Sequence, residues 1–104
     1  MMAIQYEKCP VEIAVDALSG KWKVLALWYL QHETLRFNEL QRRLPGVSQK
    51  VLSQQLKELE KDGIIGRQVF AEMPPRVVYF MTEKGKAMKP ILSSLFTWGT
   101  TFKP

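Results

Sequence analysis

Two helical apolar stripes separated by a tight turn constrain this chain more than any other feature. Phe37, Leu40 and Leu44 recur at the spacing of one helix face, and Pro45-Gly46 then breaks the pattern. A second stripe follows at Leu52, Leu56 and Leu59, with Ser48 placed to cap its start and Asp62-Gly63 to end it. Two helices joined by a few residues that include Gly predict a helix-turn-helix. At about 100° per residue, the face of the second helix opposite its leucines carries Lys50, Ser53, Gln54, Lys57 and Lys61.

The flanking segments extend this unit. Pro10 suits the first position of a short helix that carries Val11, Ala14, Val15 and Leu18, and Gly20 is expected to stop it. From Lys21 to Gln31 the chain is apolar almost all round, as in a helix buried on most sides, so this segment is expected to be a central post. After Ile64 the period changes to two. Ile65, Val69 and Ala71 alternate with Gly66, Gln68 and Phe70, Glu72-Met73-Pro74-Pro75 interrupts, and Val77, Tyr79 and Met81 follow, which predicts a β-hairpin with a proline-containing tip. Thr82 can cap a last helix with Met88, Ile91, Leu92, Leu95, Phe96 and Phe102 on a broad apolar stripe, Trp98 beside it and Pro90 kinking or dividing it.

The expected fold is mainly α with a small β-hairpin: a winged helix-turn-helix with extra N- and C-terminal helices. Its 104 residues suffice for one domain with one modest core, so residues 1–104 are read as a single domain; no repeat or low-complexity segment divides them. Fifteen basic residues against ten acidic leave a net charge of +5, which favours a polyanionic partner without identifying it.

The apolar run Val24 to Leu30 is far shorter than the roughly 20 residues that span a bilayer. The opening MMAIQYEKCP does not read as a secretory signal, and Cys9 has no second cysteine for an intrachain disulfide. A cytoplasmic protein is expected. One histidine, His32 in an expected loop, no metal-ligand cluster, no phosphate loop and no nucleophile elbow argue against an enzyme and against a bound cofactor or metal.

The stretches CPVEIAVDALSGKWKVLALWYL, RFNELQRRLPGVSQKVLSQQLKELEKDGIIGRQ, PPRVVYFMTEKG and PILSSLFTW together resemble the HxlR-type transcriptional regulators, related in fold to the MarR type. The match runs from Cys9 to Trp98, and it rests on the order and spacing of pieces that are individually weak. The resemblance implies a cytoplasmic bacterial or archaeal homodimer that binds operator DNA, usually as a repressor and occasionally as an activator. Such regulators often carry Glu where this chain has Val78 and Leu where it has Met81, two positions on the second wing strand that bear on wing surface and packing.

The residue chemistry agrees with that implication. Gln49, Lys50, Ser53, Gln54 and Lys57 belong to the set of side chains that read base edges in the major groove, and the helix start at Ser48 favours a phosphate. The same face would serve as an ordinary solvated surface if the chain were a winged-helix module for protein partners, which is the rival reading. Lys21, Lys23, Arg36, Arg42 and Arg43 are further candidates for phosphates. Arg76 at the hairpin tip is expected to project into the minor groove or along the backbone, with Arg67 less well placed.

Packing the apolar terminal helices across a two-fold would bury them, with Ile4, Tyr6, Leu92, Leu95, Phe96 and Trp98 as the candidate interface; the alternative is that the last helix is an intrachain core helix. A dimer predicts a palindromic operator. Cys9 precedes Pro10 at a helix start, where the macrodipole and Lys8 favour thiolate. In some regulators of this type a cysteine at this place senses oxidants or electrophiles, and the alternative is a packing cysteine. No residue identifies a small-molecule effector.

Overall fold

The helix that carries the polar face is delimited by side chains its own sequence supplies. In the computed structural model, which describes residues 8–104, the Ser48 Oγ accepts the Val51 N–H at 3.1 Å and opens the helix Gln49–Lys61. At its end Gly63, at φ +75°, gives its N–H to the Glu60 carbonyl, while Ile64 N–H reaches back to Leu59. This double closure needs a left-handed residue at Gly63 and brings Ile64 beside Leu59 in the core.

In chain order the elements are α1 (Pro10–Ala17), α2 (Lys21–Leu30), β1 (Leu35–Arg36), α3 (Phe37–Arg43), α4 (Gln49–Lys61), β2 (Ile65–Phe70), β3 (Arg76–Met81), α5 (Glu83–Lys86) and α6 (Lys89–Thr101). The helix-turn-helix is α3 and α4, and the wing is β2 and β3. Leu40, Leu44, Leu52, Leu56 and Leu59 from the two stripes are buried against Ala26, Leu27 and Leu30 of α2. Every apolar side chain of α2 is buried or packed against that core, as the post reading expects.

The sheet has three strands, not the two of a simple hairpin. Leu35 pairs with Tyr79 and Arg36 with Val78, so β1 lies on the free side of β3 and the order is β1-β3-β2. With only two residues, β1 is too short to show alternation in the sequence. Leu35 and Val78 are both buried, so Val78 and Met81 act in packing, and neither forms wing surface.

Thr82 caps the four-residue α5 rather than a long helix, since its Oγ1 accepts the Gly85 N–H at 3.2 Å. Pro90 lies in the first turn of α6, where its missing N–H costs nothing, so it divides the expected last helix. Gly20 also departs from expectation. α1 has already ended at Ala17, and Gly20, at φ +94°, is the entry to α2. None of the described helices is long and apolar enough to cross a membrane.

The terminal helices touch this core along one edge and leave much apolar surface exposed. α1 has no buried residue and exposes Val11, Ile13 and Val15. α6 buries Leu92 and exposes Ile91, Leu95, Phe96 and Trp98, and Phe102 at its C-cap is exposed as well. The radius of gyration, 15.6 Å, exceeds the about 13 Å of a compact chain of about 100 residues.

Candidate nucleic-acid interface

The helix-turn-helix packs its leucines inward and thereby turns the opposite side of α4 to solvent. Gln49, Lys50, Gln54 and Lys57 are exposed and Ser53 is half-buried. Lys50, Ser53, Gln54, Lys57, Glu58 and Lys61 line one open, shallow concavity. Among the described residues no hydrogen bond or ion pair engages the side chains of Lys50, Gln54 or Lys57, so their donors are free to meet a ligand. The backbone N–H groups at the start of α4 add partial positive charge beside them.

A second cationic surface lies between the start of α3 and the wing. Arg36, Arg42 and Arg76 line a groove of about 650 Å³ together with Thr34, Asn38 and Pro75. Glu39 also borders it, but its Oε1 accepts the Arg36 backbone N–H at 2.8 Å and serves as a helix cap. The groove is therefore dominated by guanidinium groups, which suit phosphate oxygens. Asn38 was not among the residues that the sequence pattern singles out. Its signal was its place four residues before Arg42 on the side of α3 opposite Phe37, Leu40 and Leu44.

Other cations are disposed differently from expectation. The Arg76 guanidinium does not project from the tip: it lies 4.0 Å over the Phe70 ring, with Nε 3.3 Å from Glu72 Oε1. Stacking and charge pairing hold it along the wing, facing the groove. Arg43 pairs with Glu33 at 3.2 Å and lies over Tyr29, and Arg67 sits 3.8 Å from Glu60. Lys21 is exposed, its ammonium 4.6 Å from the Trp22 ring. Lys23 is not a surface cation at all. It is 3% exposed and its Nζ lies 2.8 Å from Glu58 Oε1, so it is removed from the candidates for phosphate contact.

Of the candidate interface residues, Ile4 and Tyr6 lie outside the described residues. Leu95, Phe96 and Trp98 are exposed, Trp98 by 67%. Leu92 is corrected: at 1% exposure it belongs to the chain's own core, because it points from α6 onto α2 rather than outward. Cys9 is exposed at the N-cap of α1. The neighbouring Lys8 is paired with Asp16, so its charge is already committed.

Comparison with known proteins agrees with this architecture. The family model for HxlR-like helix-turn-helix proteins matches residues 17–104. An uncharacterized helix-turn-helix-type transcriptional regulator from Methanothermobacter thermautotrophicus is 49% identical over 94 residues, which are 90% of this chain and 72% of that protein. The redox regulator HypR in its oxidized form superposes with a TM-score of 0.89 at 40% identity, covering 92% of this chain and 99% of HypR. A MarR-family regulator from Porphyromonas gingivalis W83 superposes with a TM-score of 0.87 at 34% identity, covering 95% of this chain and 97% of the other. Winged helix, polar α4 face and sequence match together make this chain a member of the HxlR-like helix-turn-helix family of transcriptional regulators, with a MarR-like fold.

Proposed function

We propose that the protein acts as a homodimeric repressor that binds a palindromic operator, each copy forming one DNA-binding domain. α4 enters the major groove, where Gln49, Lys50, Ser53, Gln54 and Lys57 meet base edges and phosphates near Ser48. The wing tip, residues 72–76, follows the minor groove or the backbone, with Arg36, Arg42 and Arg76 on phosphates. Lys21 and Arg43 lie at the margin of this footprint.

The observation that carries the reading is the α4 face itself: solvent-exposed donors that meet no partner among the described residues, in a chain that also has an arginine-lined groove between α3 and the wing. The dimer is supported by apolar side chains left uncovered on α1 and α6, including Val11, Ile13, Leu95, Phe96 and Trp98. Membership of a family of transcriptional regulators supports a DNA-binding, non-enzymatic, cytoplasmic role.

Cys9 is the candidate signal input. HypR is named a redox regulator, and the Cys9 thiol here is exposed. Two Cys9 thiols, one from each copy, would lose two protons and two electrons to an oxidant such as a peroxide and form an intersubunit disulfide.

Selection of genome fragments by the purified protein, with sequencing of retained DNA at two salt concentrations, tests the function. Enrichment of a palindrome is the expected result. Retention without sequence preference would reduce the protein to a general DNA binder, and no retention would favour a protein-interaction module.

A further inference from the structure

Two carboxylates border the α4 face that meets DNA in the reading above: Glu60, on the edge beside Ser53, turns to Arg67 of the wing at 3.8 Å, and Glu58 lies on the opposite edge. Glu58 lines the same open surface as Lys50, Ser53, Gln54, Lys57 and Lys61. It stands four residues after Gln54 and three before Lys61, on the edge of the reading face nearest α2. Its side chain is 44% exposed, so it has room to turn toward solvent or back toward the protein. A free carboxylate there would oppose every phosphate that approaches Gln54 and Lys61.

The structure turns it back. Lys23 reaches from the first turn of α2 and holds Glu58 Oε1 at 2.8 Å, although the Lys23 side chain is itself only 4% exposed. A buried ammonium is unfavourable unless paired, so the Lys23–Glu58 pair is weak evidence of a purely stabilising role; an apolar pair would commonly serve as well. α2 and α4 also approach closely one turn earlier, where a Cβ on Gly20 would lie 3.1 Å from Gln55 Oε1. The Lys23 ammonium is thus fixed in place with Glu58 as its anion.

We propose that Lys23 is a positioning residue for DNA binding: it draws the Glu58 carboxylate against α2 and keeps the reading face of α4 free of negative charge. The inference rests on the DNA-binding reading of that face. It assigns Lys23 a role at the interface although it touches no DNA, and it makes Glu58 harmless only while the lysine is present.

The test is binding of a duplex carrying the palindrome recovered by fragment selection, measured by fluorescence anisotropy at low salt for wild type, Lys23→Met, Glu58→Gln and the double variant. Lys23→Met is expected to weaken binding about tenfold, one unscreened like charge at the interface. Glu58→Gln is expected to bind as well as wild type or better, and adding it to Lys23→Met is expected to restore affinity to within about twofold. A purely structural role predicts no such rescue, because the double variant would be as impaired as Lys23→Met.

Glu58→Asp keeps an anion for Lys23 but shortens the side chain by one methylene and so weakens its hold against α2, which keeps the test decisive if Lys23→Met does not fold. It should bind DNA more weakly than Glu58→Gln. Equal binding by Lys23→Met and wild type, absence of rescue, or equal binding by Glu58→Asp and Glu58→Gln would overturn the proposal while leaving the DNA-binding reading intact. Failure of the wild-type protein to bind the duplex would overturn both.

Discussion

Phe96 of α6 lies flat on Trp28 of α2, ring centroids 4.9 Å apart and planes inclined by 6°, yet Phe96 remains 57% exposed. Trp28 in turn meets His32 with the two rings perpendicular and centroids 5.4 Å apart. One face of the Phe96 ring is therefore spent on holding α6 to the post. The rest of the side chain joins Leu95 and Ile91 in an apolar surface that the described residues leave uncovered.

Self-association should depend on that surface. Phe96→Ala removes a stacked pair worth about 1 kcal/mol and also part of the uncovered patch. The expected outcome in analytical ultracentrifugation is a shift from dimer toward monomer at micromolar concentration, with a melting temperature that no longer rises with protein concentration. A variant as dimeric as wild type would place the subunit contact elsewhere.

The joint between α4, the wing and α5 should be the least tolerant point in the fold. A Cβ at Gly85 would stand 2.2 Å from the Ile64 carbonyl oxygen, a backbone atom that cannot swing aside. Thr82 stitches the same joint, its Oγ1 2.6 Å from the Gly63 carbonyl. Gly85→Ala is expected to cost at least about 3 kcal/mol. Thermal denaturation followed by circular dichroism should show a melting temperature lower by roughly 15 °C.

The arginine-lined groove and the α4 face should separate in their response to salt. Arg36→Ala or Arg42→Ala is expected to weaken binding to all duplexes and to lower the slope of log affinity against log salt by about 0.9 for each phosphate that is no longer neutralised. Gln54→Ala is expected to leave that slope unchanged while reducing the preference for the selected operator by about 1–3 kcal/mol. Identical salt slopes for the arginine variants and wild type would remove the groove from the DNA path.

Alkaline pH should weaken the wing through Tyr79. Its hydroxyl is held above the ordinary value of 10.0, first by burial, with Arg67 drawing it down and Glu60 raising it. The unfolded chain then loses this proton at a lower pH than the folded protein does. The stabilisation is complete below the unfolded value and is lost as pH rises through the folded one. Urea unfolding from about pH 9 to pH 11 should show a shallower decline for Tyr79→Phe than for wild type. Parallel curves would show that the tyrosine does not contribute.

Elements with a strong local pattern are legible in the sequence alone. Leu52, Leu56 and Leu59 can face only one way on a helix, and Ser48 and Gly63 mark its ends. The polar face of α4 and the post formed by α2 follow from the same periodicity, since each residue's side is set by its neighbours three and four positions away. The hairpin is readable where its period of two holds, and Pro90 announces an interruption through its missing N–H.

The tertiary structure alone decided which charges are free. Lys21 and Lys23 look alike in sequence, two residues apart in GKWK, but the second points inward and finds Glu58, thirty-five positions away. Arg76 lies back over Phe70 because the wing brings ring and guanidinium together, and Leu92 leaves the open face of α6 because α2 is there to bury it. Strand β1 exists only through its pairing with β3. Periodicity states which side of an element a residue occupies, but the neighbour on that side is set by long-range packing, and that neighbour determines whether a side chain is core, ion pair or interface.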